Sequence, residues 1–299
     1  MGRRRVLAAS LALCAAVAGC RGGGEDAVVT LGVGSTAEQR MLAALTVVAL
    51  DRAGIRVEPR PDLGGTVGLR REGLRGNVEL WWDYTGAAWA LGMGEQAPPA
   101  DTDESYQRVR RADEDRGLVW LEPTAANATL ALYVRGDALP PEGSPRGMSW
   151  LAGVLSGGEA ALCADRDFVR RDGGLDALAE AYAIGMDRLR VVAADEATAI
   201  RRVAAGSCFA GLATATSGEA RAAGLVPVAD ELAIFPAFVV APVARAAALA
   251  RHPGLAGALQ PLARVLDTRA LGELNAEVAR GRDPATLAEA FLEQALPEP

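Results

Sequence analysis

The stretch "VELWWDYTGAAW" (residues 78–89) decides how the rest of the chain is read. "VELWW" (78–82) is a short apolar run that follows a helical pattern closed by Gly76, which makes it a strand, and the residues up to Trp89 open the next helix. Adjacent Trp81 and Trp82 point to opposite faces of such a strand, so at least one of them packs in a core or beneath a helix. Only 14 of the 299 residues are Phe, Trp or Tyr, yet Trp81, Trp82, Tyr84 and Trp89 gather here around one carboxylate, Asp83. The cluster sits at the carboxyl end of a strand, where open α/β sheets bind their ligands.

Working outward, strands and Ala/Leu-rich helices ended by Gly keep alternating. "VVTLGVG" (28–34) reads as a buried strand, and Ser35 with Glu38 forms a capping box for a helix that runs to Gly54. "RVEPRP" (56–61) is a strand and "TVGLRREGLR" (66–75) a helix. A charged helix (105–116) precedes "LVWLEPTAANATLALYVR" (118–135), in which one strand turns into a second. After a Gly/Pro-rich loop at 136–147, three further strands alternate with two helices, the second capped by Asp195 and stopped by Gly206. "AIFPAFVVAPVAR" (233–245) is a strand broken by Pro236, and the remainder is helical, its last helix begun by Asp283 and Pro284. The expected layout is a first α/β lobe over 28–131, an inserted second lobe over 132–235, and a return to the first over 236–299 with C-terminal helices.

The first twenty residues stand apart from this fold. Arg3 to Arg5, a short apolar run from Val6 to Ala16, and "VAGC" have the form of an export signal over residues 1–19, with a lipobox-like ending that would make Cys20 the lipidated first residue of the mature chain. Residues 20–27 then serve as anchor and tether. Removing Arg3, Arg4 and Arg5 takes the formal charge from −7 to −10, a poor match for nucleic acid. The chain has no Lys, which excludes Schiff-base chemistry, and its single His, His252, has no neighbouring nucleophile or metal cluster. No catalytic residue, metal or cofactor is expected. Cys163 and Cys208 remain in the mature part, either bridged in an oxidising compartment or as two buried thiols.

Six blocks carry a family resemblance: "LGVGSTAEQRML" (31–42), "DLGGTVGLRREGLRGNVELWWDYTGAAW" (62–89), "WLEPTAANATLALYVR" (120–135), "FVRRDGGLDALAEAYAI" (168–184), "FPAFVVAPVAR" (235–245) and "LGELNAEVARGRDPATLAEAFL" (271–292). Their order resembles that of the substrate-binding proteins for glycine betaine, choline and carnitine of ABC transporters. The resemblance implies a type II periplasmic-binding-protein fold, a Venus flytrap whose lobes close on a small cationic or zwitterionic solute. It implies as partners an ABC permease and ATPase, and a location on the outer face of the cytoplasmic membrane, held by the lipid on Cys20.

A quaternary ammonium donates no hydrogen bond, so its site needs aromatic faces or a carboxylate, each ring contributing roughly 0.5–2 kcal/mol. A betaine carboxylate needs Arg, hydroxyl or amide donors or a helix start. The resemblance places Tyr84 and Phe238 at cage positions. Ser35 and Thr36 are expected to offer donors, Arg171 or its neighbour Arg170 to face the carboxylate, and Asp83 and Asn127 to reach the ligand, although Asp83 can equally cap a helix and Asn127 fix a turn. Leu130 stands where the family commonly has an aromatic, Ala87 where it has a polar residue, and "LATATSG" (212–218) has no ring. The cage is thus depleted unless Trp150 or Phe235 replaces the missing walls. Two other readings use the same residues: an extracytoplasmic enzyme with "GVGST" as an anion-binding turn, and a lipoprotein of this fold that takes another solute or presents a ligand to a sensor.

Overall fold

The computed structural model describes residues 28–92, 98–144, 146–171 and 173–297; the expected signal segment and Cys20 lie outside them. The chain opens with β1 (Val29–Gly32), α1 (Ala37–Arg52), β2 (Val57–Arg60), α2 (Thr66–Arg75), β3 (Leu80–Tyr84), α3 (Thr85–Gly92), α4 (Thr102–Glu114) and β4 (Leu118–Trp120). It then builds β5 (Leu130–Arg135), α5 (Met148–Ser156), β6 (Ala161–Ala164), α6 (Arg166–Arg170), α7 (Leu175–Ala181), β7 (Arg190–Ala193), α8 (Glu196–Ala204), β8 (Ala210–Thr214), α9 (Gly218–Ala222) and β9 (Leu225–Pro227). It returns through β10 (Val240–Arg245) to α10 (Ala246–Arg251), α11 (Leu255–Val265), α12 (Thr268–Ala279) and α13 (Pro284–Ala295).

Two five-stranded sheets result, one in each lobe of a type II periplasmic-binding-protein fold, with orders β2-β1-β3-β10-β4 and β7-β6-β8-β5-β9. In the first, β1 runs parallel to β2 and β3, while β10 runs against β3 and β4; in the second, β6 runs parallel to β7 and β8, while β5 runs against β8 and β9. The reversed strand in each case is the one that arrives from the other lobe. The two connecting segments, 121–129 and 228–239, lie side by side and are laced together. Ala128 N–H donates to the Phe238 carbonyl, Val240 N–H to that of Ala126, and Phe238 N–H to Asn127 Oδ1 at 2.7 Å. The junction expected after residue 131 falls inside β5, and the strand read at 233–245 is ordered as strand only from Val240, because the residues before it form this crossing.

Trp81 and Trp82 do face opposite sides of β3, and both are buried. Trp82 packs with Leu31, Met41, Leu42 and Leu45 under α1 and donates to Thr46 Oγ1 at 2.7 Å. Trp81 packs with Leu69, Trp89, Tyr106 and Trp120 under α2 and α4, and its ring lies so close over Gly73 that a Cβ there would overlap it. In the second lobe Cys163 of β6 is bonded to Cys208, with an Sγ–Sγ distance of 2.02 Å. Trp150 and Phe235, the possible replacement rings, pack instead against Phe209 and Phe168 in that lobe's own core.

Candidate functional site

Between the lobes lies a cavity of about 450 Å³. Among the described residues its rings are Tyr84, at the carboxyl end of β3, and Phe238, on the second connecting segment. The Phe238 ring rests on the first turn of α3, where Gly86 leaves the room; any side chain there would collide with it. Thr36, the N-cap of α1, also lines the cavity, its Oγ1 accepting from Gln39 N–H at 3.1 Å.

Four expected site residues are elsewhere. Ser35 does not line the cavity: the cap falls one residue later, on Thr36, and the Ser35 N–H and carbonyl are held by Gly64 and by Arg40. Asp83 is fully buried behind β3, where its side chain accepts from Arg70 Nη1 at 2.8 Å, from Trp81 Nε1 at 3.2 Å and from Tyr84 N–H at 2.8 Å. Arg70 reaches Asp113 with its other nitrogen at 2.7 Å, and Asp113 also holds Trp120 Nε1 and Arg116. With these partners Asp83 belongs to the scaffold that fixes Tyr84 and does not line the cavity, and burial raises its carboxyl pKa against the opposing pull of Arg70. Asn127 spends its side-chain carbonyl on the crossing, and its N–H donates to Thr268 Oγ1. Arg171 ends α6 on the surface, beside Asp167 and over the Phe168 ring at 5.6 Å.

The shift of the cap releases Glu38 from the capping box, and it becomes a cavity residue. Tyr84 Oη donates to Glu38 Oε1 at 2.6 Å, and Asn275 Nδ2 donates to Oε2 at 2.7 Å. Asn275, buried on α12, also donates to the Thr216 carbonyl at 3.0 Å, so the pair ties the first lobe to the second. Here α9 lies directly on α12, and Gly218 is needed because a Cβ would strike the Asn275 backbone. From the second lobe come Glu196, Thr214, Thr216, Ser217 and Glu219. Burial raises the carboxyl pKa of both Glu38 and Glu196. None of these acids was legible as a ligand group, since an acid in a first helical turn reads as dipole compensation. Asn275 did leave a signal: it interrupts the apolar face of "LGELNAEV" beside Leu271 and Leu274.

Fold and cavity together define a two-lobed solute-binding protein with an aromatic and acidic cleft. The chain belongs to the family described as the substrate-binding domain of ABC-type glycine betaine transport systems, whose model matches residues 27–294. It is 31% identical to a glycine-betaine-binding protein of Pseudomonas aeruginosa, over 94% of this chain and 93% of that one. It is 29% identical to the glycine betaine-binding protein YehZ of Escherichia coli, over 86% and 87% of the two chains. The solved apo structure of that YehZ superposes with a TM-score of 0.80 at 28% identity, covering 91% of this chain and all of the other. The chain is accordingly a solute-binding component and not an enzyme. No helix among the described residues is long and apolar enough to cross a membrane, and among them no three or more His, Cys, Asp or Glu side chains are grouped so as to hold a metal ion.

Proposed function

We propose that this is a lipid-anchored, extracytoplasmic solute-binding protein of an ABC importer, which captures a glycine betaine- or choline-like osmoprotectant between its lobes and delivers it to the permease. The observation that carries the reading is the pairing of Tyr84 and Phe238 faces with the Glu38 carboxylate in one interlobe cavity. A methylated ammonium gains from ring faces and from a nearby negative charge without needing a hydrogen bond. Family membership and the export-type N-terminus support the transport role and the anchor.

Two measurements test it. Phe238→Leu keeps an apolar wall and removes one of two rings, so affinity for a quaternary ammonium should fall about 2- to 30-fold in calorimetric titration. Unchanged affinity would remove Phe238 from the cage. Cys20→Ser should abolish incorporation of labelled fatty acid and release the protein from washed membranes; retention of either property in the variant would exclude the Cys20 anchor.

A further inference from the structure

The charged side chains that line the cleft all have one sign. Glu38 enters from α1, Glu196 from α8 and Glu219 from α9, whereas among the described residues neither Arg nor His lines the cavity, and the chain has no Lys. Three of the arginines around it are engaged elsewhere. Arg40 turns back to the Ser35 carbonyl, Arg70 is buried between Asp83 and Asp113, and Arg171 is on the surface of α6; Arg221, whose buried Nε has no hydrogen-bond partner, lies over Gly272 of α12 outside the cavity lining.

The helix starts, which could replace a cation in holding a ligand carboxylate, are largely occupied as well. Each of the three glutamates sits in the first turn of its own helix. The caps Thr36, Asp195 and Ser217 accept the N–H groups of Gln39, Thr198 and Ala220. The starts of α2 and α3, represented in the lining by Thr66 and Ala87, bring no acid but no cation either. A ligand carboxylate in this cavity would face three glutamates, with no positive side chain among the described lining residues to neutralise it. A ligand hydroxyl, in contrast, would meet Thr36, Thr66, Thr214, Thr216 and Ser217.

We propose that the cleft selects a compact organic cation without a carboxylate, of the quaternary hydroxyalkylammonium class, over a zwitterionic betaine. This rests on reading the cleft as a quaternary-ammonium site, and the test separates the two. In calorimetric titrations of the full chain at neutral pH, choline should bind at least about tenfold more tightly than glycine betaine or carnitine. Equal or tighter binding of glycine betaine would overturn the selectivity and leave the site reading standing, whereas binding of neither would overturn both. Glu196→Gln and the more exposed Glu219→Gln should each weaken choline about fivefold and leave glycine betaine unchanged or tighter, with thermal unfolding as the check on folding. Loss of both ligands to the same extent, or of neither, would refute a role for charge in the choice.

Discussion

Arg70→Leu is expected to lower the free energy of unfolding by about 3–5 kcal/mol, the range for removing one partner of a buried ion pair. Arg70 is itself only 2% exposed and holds two carboxylates that lie on different elements, Asp83 on β3 and Asp113 on α4. Without it, Asp83 keeps hydrogen bonds from Trp81 and Tyr84 but no counter-charge, while Asp113 retains Arg116. Asp83 is therefore where the loss concentrates. Its pKa is already raised by burial with Arg70 present, and losing Arg70 raises it further. A folded-state carboxyl pKa above the unfolded value contributes stability at low pH that is lost as pH rises through the folded pKa. The gap between wild type and variant should thus be widest near neutral pH and narrow toward pH 5. Adding Asp83→Asn should recover part of the loss. Urea unfolding at both pH values measures this, and a pH-independent gap below about 1 kcal/mol would show the triad to be energetically idle.

The fold was largely legible because its signals are local. Strand-helix alternation, the Asp195 and Asp283 caps and the Gly stops at 54, 76 and 206 all reappear in the structure, with those glycines at positive φ. The side-by-side placement of residues 121–129 and 228–239 was not legible, since crossing segments follow no periodicity and their pairing joins residues more than 100 apart. The site divided along the same line. Tyr84 and Phe238 are marked by residue type and by block, and both line the cavity. Asp83 follows the pattern of a ligand acid equally well, but the alternation of β3 and the reach of Arg70 from α2 turn it away from the cleft. Glu38 was hidden by a one-residue ambiguity: "GST" offers two hydroxyl caps, and only the choice of Thr36 over Ser35 decides whether the glutamate closes a capping box or enters the cavity.

Glu38→Gln should weaken binding of a cationic ligand about 10- to 150-fold, the equivalent of losing one buried charge-assisted contact of about 1.5–3 kcal/mol. The side chain stays nearly isosteric, so Tyr84 Oη keeps an acceptor while the charge disappears. Burial raises the Glu38 pKa above 4.5, opposed by hydrogen bonds from Thr216, Tyr84 and Asn275. Glu196 moves the same way, through burial with Glu219 adding to it. Among the described residues no cation faces either acid from the cavity lining; Arg40, on the same helix as Glu38, is turned to Ser35. The empty cleft therefore keeps its protons to a higher pH than free glutamate would. A bound cation favours the ionised carboxylates, so binding expels protons, and affinity should climb as pH rises from 4.5 through the raised values and level off above them. A zwitterion seated by its carboxylate would show the opposite slope, since a protonated Glu38 can donate to it. In Glu38→Gln the cation's pH dependence should flatten to the part due to Glu196. Titration of choline at several pH values from 5 to 8 reads both effects, and a variant with wild-type affinity and slope would place the ligand's charge away from Glu38.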